Sequence, residues 1–85
     1  MDETLLLAAG LDKAFIGVGR RCSQPSVAVY SIPKAIQILQ QDGMTEDEAR
    51  EYLEFNSIGA WVGARTPIWV EVMTIDEFIE TENDV

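Results

Sequence analysis

Few side chains in this protein could act as a base, a nucleophile or a soft metal ligand. The chain contains no histidine, the commonest general base, and a single cysteine, Cys22. A Ser-His or Cys-His nucleophile therefore cannot form within one chain. Arg20 and Arg21 precede Cys22, and the sequence places no base beside it. We interpret Cys22 as a passive cysteine in a turn.

Carboxylates are abundant, but their spacing does not indicate catalysis or metal binding. Glu51 and Glu54 lie three positions apart on one predicted helix, and their exposure to solvent does not suit acid–base catalysis. The acids of residues 45–55 follow helical spacing and lack the glycine of a calcium-binding loop. A zinc site with one cysteine and no histidine would be exceptional. The sequence predicts no catalytic residue, no metal and no cofactor, and hence no enzyme.

Gly17 and Gly19, followed by Arg20 and Arg21, match part of a phosphate-binding loop. The match lacks a third glycine and the strand-to-helix context, because a turn and a second strand follow. We therefore expect the glycines to allow close packing within a β-hairpin. We expect the two arginines to pair with carboxylates of the same chain.

Asn56 falls on the predicted inward face of its helix, together with Ala49, Tyr52 and Leu53. A buried amide without a hydrogen-bond partner costs roughly 1–3 kcal/mol, so we expect this side chain to form a hydrogen bond. We favour a structural role, in which Asn56 caps the helix end or bonds to the backbone of the loop 63–67. The alternative is that its amide contacts a ligand.

Small residues follow Asn56. Gly59, Ala60 and Gly63 form a run with almost no polar cover. We expect them to let the helix end press closely against a strand, with Trp61 spanning the gap.

The apolar periodicity and the turn residues predict one α+β domain over residues 1–85, with a frayed tail at 81–85. We expect a small, mainly antiparallel three-stranded sheet, with a helical hairpin packed on one face and short terminal helices. The predicted strands are about 14–20, 26–31 and 67–73, and the predicted helices of the hairpin are about 33–42 and 45–58.

Capping residues mark the predicted helix boundaries. Asp2 would cap a first helix that ends at Gly10. Two Thr-x-x-Glu capping boxes, at 45–48 and 74–77, would start the second helix of the hairpin and the last helix.

The net charge of −9 is concentrated in residues 42–85, which hold twelve acidic and two basic residues. A protein that binds a nucleic-acid duplex needs a basic surface, so direct nucleic-acid binding is disfavoured. An acidic surface suits a basic protein partner or mimicry of a nucleic-acid backbone. The candidate protein-binding residues are the acids of the predicted helix 45–58: Glu46, Asp47, Glu51 and Glu54.

Cellular location and assembly follow from composition. A lone cysteine fits a reducing compartment, the first residues are acidic where a signal peptide is basic, and no stretch reaches the roughly 20 apolar residues of a membrane span. We expect a cytoplasmic protein that binds no membrane. An 85-residue chain with 47% hydrophobic residues also makes a homodimer plausible.

Residues 42–67 have the pattern DGM-[ST]-x-x-EA-x-x-Y-x-x-[FY]-N-x-x-GA-x-x-G-x-x-TP. With this run the chain resembles, over about residues 10–72, a family of small uncharacterised proteins of bacteriophages, prophages and bacteria. Relatives often have an acidic residue after the last glycine, where this chain has Ala64 and Arg65. The resemblance implies a small accessory protein, encoded by a phage or prophage, and implies no activity.

These observations favour a non-enzymatic accessory or interaction protein that binds a host protein in the host cytoplasm. Two alternatives stay open. One is an acidic mimic of nucleic acid that blocks a basic groove. The other is a small-ligand-binding protein whose pocket would be lined by Tyr30, Asn56, Arg65 and Thr66.

Overall fold

A computed structural model describes residues 5–83 of the protein. Three strands form one sheet, and three α-helices and two shorter helical turns complete the fold. The strands are β1 (Phe15–Gly19), β2 (Val27–Ser31) and β3 (Ile68–Val70). The helices are α1 (Ile32–Gln41), α2 (Glu46–Leu53) and α3 (Ile75–Asn83), with a 3₁₀ turn at Asp12–Ala14 and a π-helical turn at Glu54–Ile58. The predicted α+β class is confirmed.

The sheet has the order β1-β2-β3 and is mixed. β1 and β2 form the predicted antiparallel hairpin, whereas β3 runs parallel to β2. A parallel pair needs a long crossover connection, and the helical hairpin α1–α2 lies within that connection. β3 is shorter than the predicted strand 67–73, because pairing with β2 covers only Ile68 to Val70.

The two glycines of β1 have different roles. A Cβ atom at Gly19 would lie 3.0 Å from Cγ2 of Val29, so the missing side chain allows a close approach within the hairpin, as predicted. Gly17 has φ of +156° and lies where the pairing register with β2 shifts, and a Cβ atom there would meet nothing within 4 Å. It therefore supports a bulge rather than close packing.

The hydrophobic core centres on Tyr30, which is fully buried. Its ring stacks on Trp69 with centroids 4.9 Å apart and meets Phe15 edge-on at 5.7 Å. The Tyr30 hydroxyl accepts a 2.8 Å hydrogen bond from the backbone N–H of Ala8, so the buried polar atom is satisfied. The other buried residues of the core are Leu11, Ala14, Ala28, Ile32, Ala35, Ile36, Leu39, Ala49 and Leu53.

Local capping fixes where α1 and α2 begin. The Ser31 hydroxyl accepts a 3.2 Å hydrogen bond from the backbone N–H of Lys34 at the start of α1. The predicted capping box of α2 is present. The Thr45 hydroxyl accepts from the Glu48 N–H at 3.1 Å, and the Glu48 carboxylate accepts from the Thr45 N–H at 2.9 Å.

The first predicted helix is not found where it was expected. Residues 5–8 have no helical structure, and Asp2, the predicted cap, lies outside the described residues. The N–H of Ala8 is used by the Tyr30 hydroxyl, a tertiary partner that replaces the helical one. A single 3₁₀ turn at Asp12–Ala14 follows instead.

α3 protrudes from the rest of the molecule. It begins with the predicted capping box of Thr74 and Glu77 and extends through Asn83, whereas the sequence predicted fraying from residue 81. Residues 75–81 are all exposed. The radius of gyration is 14.3 Å, against about 12 Å for a compact domain of this length. None of the helices in residues 5–83 is long and apolar enough to cross a membrane.

Candidate functional site

The four residues predicted to share a ligand pocket lie in different places. Tyr30 is fully buried, and Asn56 is exposed on the π-helical turn. Tyr30, Asn56 and Thr66 line three different cavities of the described surface, and Arg65 lines none of these three. The fold therefore does not bring the predicted pocket together.

Asn56 does not face the core, so its predicted inward placement is wrong. Leu53 is fully buried, but Tyr52 is 42% exposed and Asn56 is exposed. The side-chain amide of Asn56 donates a 3.0 Å hydrogen bond to the backbone carbonyl of Tyr52. The helix widens to a π-helical turn after Leu53, which changes the direction of the side chains that follow. The Asn56 amide therefore has a hydrogen-bond partner, which is a backbone carbonyl of its own helix.

The predicted packing of the Gly59–Gly63 corner against a strand is also wrong. A Cβ atom at Gly59 would lie 2.6 Å from the backbone oxygen of Glu54, so the glycine is required by the π-helical turn itself. A Cβ atom at Gly63 would meet nothing within 4 Å, although its φ of +109° favours glycine. Trp61 does not span a gap, since it is 78% exposed.

Thr66 and Arg65 hold the loop that follows Trp61. The Thr66 hydroxyl accepts a 2.9 Å hydrogen bond from the N–H of Val62 and donates one of 2.6 Å to the carbonyl of Gly63. Arg65 donates from Nη1 to the carbonyl of Ser26 at 3.4 Å. Both side chains thus have structural partners in the loop or in the β1–β2 connection.

The acids predicted to bind a protein partner are all exposed, but they are not equivalent. Glu46 forms an ion pair with Arg50, with 3.3 Å between Oε2 and Nη2. Asp47, Glu51 and Glu54 are exposed along α2 and the turn that follows it. Among the four predicted acids, Glu46 is the one that pairs with Arg50, so most of the acidic charge of the helix is not neutralised by an ion pair within the described part of the chain.

A shallow cavity of about 430 Å³ lies beside α2. Its aromatic side chains are exposed, with Phe55 at 77% and Tyr52 at 42%. The helical periodicity of the sequence did not predict that Phe55 is exposed, because Phe55 lies within the π-helical turn, where that periodicity no longer holds. We call this surface the acidic-apolar patch, and it is formed by Met44, Glu48, Glu51, Tyr52, Phe55 and Asn56.

A larger cavity of about 660 Å³ lies between the β1–β2 connection and the segment around Trp61. Arg20 and Arg21 are exposed beside it and form no ion pair with the side chains of residues 5–81, so the predicted internal pairing is wrong within that part of the chain. Cys22 is exposed, and its Sγ lies 3.7 Å from Oγ of Ser23 in the turn. We call this cavity the basic groove, and it is lined by Gly19, Arg20, Arg21, Cys22, Gln24, Pro25, Val27, Trp61, Ala64, Thr66 and Ile68.

No group of three or more cysteine, aspartate or glutamate side chains in the described part of the chain is placed to hold a metal ion.

The chain matched no protein-family model, and searches of curated proteins and of solved structures also found no match. The site is therefore interpreted from its own geometry.

Proposed function

We propose that the protein is a non-enzymatic interaction protein that acts by binding another protein. The observation that carries this proposal is the pair of exposed aromatic side chains beside α2: Phe55 is 77% exposed, Tyr52 is 42% exposed, and both line the same cavity. Soluble monomers rarely expose large contiguous apolar patches, and such patches mark interaction sites. The resemblance to phage and prophage proteins supports a phage-encoded accessory protein that binds a host protein in the host cytoplasm.

The acidic-apolar patch is the surface that best fits a protein partner. Phe55 and Tyr52 are exposed aromatic side chains, the residue type enriched at interface centres. Glu48 and Glu51 line the same cavity and place negative charge around them. Opposite charge at an interface selects the partner and speeds association. The expected partner segment is therefore apolar and flanked by lysine or arginine.

Affinity capture from a bacterial lysate tests this function. The immobilised wild-type protein should enrich a protein partner, and Phe55→Ser should reduce that enrichment at least about tenfold. Val62→Ser is the matched control, because Val62 is 60% exposed but does not line the patch. Equal enrichment by all three proteins, or none by the wild type, would contradict the proposal.

The nucleic-acid mimic remains an alternative because Glu46, Asp47, Glu51 and Glu54 are all exposed. Its binding would rest on charge and would weaken steeply as salt increases. Binding through Phe55 and Tyr52 would persist at high salt, because hydrophobic burial is not screened. Measuring the affinity for a captured partner at low and high salt separates the two functions. Of the four residues of the small-ligand alternative, no two line the same one of the three cavities described above.

A further inference from the structure

α3 presents an apolar face that is largely exposed to solvent. Ile75, Phe78 and Ile79 follow the i, i+3, i+4 spacing that places side chains on one helix face. They are 70%, 48% and 49% exposed. The capping box of Thr74 and Glu77 nevertheless defines the helix start. A capped helix with a bare apolar face is suited to dock on another surface.

The basic groove is complementary to α3 in charge and in apolar character. Val27, Trp61 and Ile68 give its lining apolar character, and Trp61 is 78% exposed. Arg20 and Arg21 line the same cavity. α3 carries only acidic charges, including the exposed Asp76, Glu77 and Glu80. From this complementarity we infer that α3 of one copy docks into the basic groove of a second copy, and that the reverse contact forms in the same dimer.

The topology explains why the second copy, rather than the same chain, provides α3. Gly19 at the end of β1, Val27 at the start of β2 and Ile68 at the start of β3 all line the groove, so the groove lies at one end of the sheet. β3 runs parallel to β2 and away from that end. Residues 71–74 then lead directly into α3 and span at most about 14 Å. α3 therefore follows the end of β3 that lies away from the groove.

Reciprocal docking doubles the buried area of a single contact. A stable interface buries about 1,200–2,000 Å² in total, and a large aromatic side chain buries about 150–250 Å². One α3 in one groove would give a small contact around Phe78 and Trp61. The two-fold symmetry of a dimer forms this contact twice, with the same surfaces on both copies. The net charge of −9 on each copy opposes association elsewhere, which favours contact at the arginines.

Sedimentation equilibrium on the full chain tests the dimer. We expect the wild type to form a dimer and Phe78→Ser to raise the dimer Kd at least about tenfold. Phe55→Ser is the matched control and should leave the dimer Kd unchanged, since Phe55 lies in the acidic-apolar patch. A monomeric wild type at all concentrations, including one with α3 folded back on its own groove, would overturn the inference. So would a dimer that Phe78→Ser does not weaken.

Charge reversal identifies which surfaces meet. One variant carries Asp76→Lys with Glu80→Lys, and the other carries Arg20→Glu with Arg21→Glu. Each variant alone loses the charge attraction at both contacts and should be monomeric. An equimolar mixture brings the new lysines to the new glutamates at one contact and the native acids to the native arginines at the other, and it should dimerise. Mixing that restores no dimer overturns the inference, as does a dimer in either variant alone. All four residues are exposed, so the buried core and its near-ultraviolet circular dichroism should stay unchanged.

This inference uses residues outside the acidic-apolar patch, so the two proposals fail separately. A monomer that still captures a partner through Phe55 would retain the proposed function and remove the dimer. A dimer from which Phe55→Ser removes no captured protein would do the reverse.

Discussion

At the scale of single residues, the π-helical turn decides what the motif around Asn56 does. π-helical turns are rare and occur mostly as single turns at functional sites. Here the turn at Glu54–Ile58 leaves Phe55 and Asn56 exposed, and it brings Gly59 against its own helix. The Gly59 N–H donates a 3.0 Å hydrogen bond to the Glu54 carbonyl, which closes the turn. The exposed aromatic of the acidic-apolar patch thus depends on a glycine four positions away.

Gly59→Ala tests this dependence, because two effects predict opposite signs. Alanine is a better helix former than glycine and would stabilise the protein by about 1 kcal/mol if propensity dominated. A Cβ atom would instead lie 2.6 Å from the Glu54 oxygen, a backbone atom that cannot rotate away. We expect the free energy of unfolding in urea to fall by about 1–3 kcal/mol. An increase would show that the close contact has no energetic effect.

At the scale of elements, local sequence sets the start of α2 and tertiary packing holds it in place. The capping box satisfies the first N–H groups of the helix, and three acids, Glu46, Asp47 and Glu48, lie in the first turn. Ala49 and Leu53 are fully buried and attach the helix to the core. The cap is therefore coupled to the stability of the whole domain.

Thr45→Ala removes the hydroxyl that accepts from the Glu48 N–H. We expect the free energy of unfolding to fall by about 1 kcal/mol, measured by urea denaturation. Thr45→Ser keeps the hydroxyl and should stay within a few tenths of a kcal/mol of the wild type. Equal losses in both variants would assign the effect to the lost methyl group rather than to the cap.

At the scale of the whole molecule, the core and α3 differ in burial. Tyr30, Trp69 and the buried faces of α1 and α2 form the core, whereas residues 75–81 are exposed. The radius of gyration of 14.3 Å reflects this division. An arm that buries little in its own chain adds little to the stability of that chain.

A chain that ends at Thr74 should fold without α3. We expect it to unfold cooperatively and to keep the near-ultraviolet circular dichroism of the Tyr30–Trp69 stack, because every core residue is retained. A chain that ends at Pro67 is the control and should not fold, since it lacks β3 and Trp69. Loss of cooperative unfolding in the longer chain would show that α3 supports the core within one copy.

The sequence by itself determined the α+β class, the β1–β2 hairpin, the helical hairpin and the two threonine caps. These features depend on local periodicity and on hydrogen bonds between residues close in the chain, which a sequence displays directly. It also predicted the close approach at Gly19, which follows from a glycine within a hairpin strand.

Only the tertiary structure decided which apolar and polar side chains are covered. Asn56 and Trp61 were assigned to the interior because their neighbours are apolar, yet both are exposed. The N-terminal leucines and alanines form no helix because the Ala8 N–H binds the Tyr30 hydroxyl, 22 positions away. Burial depends on contacts between distant residues and on the exact pitch of a helix, and local pattern specifies neither. For the same reason, the basic groove and the exposed apolar face of α3 could be recognised only in the folded structure.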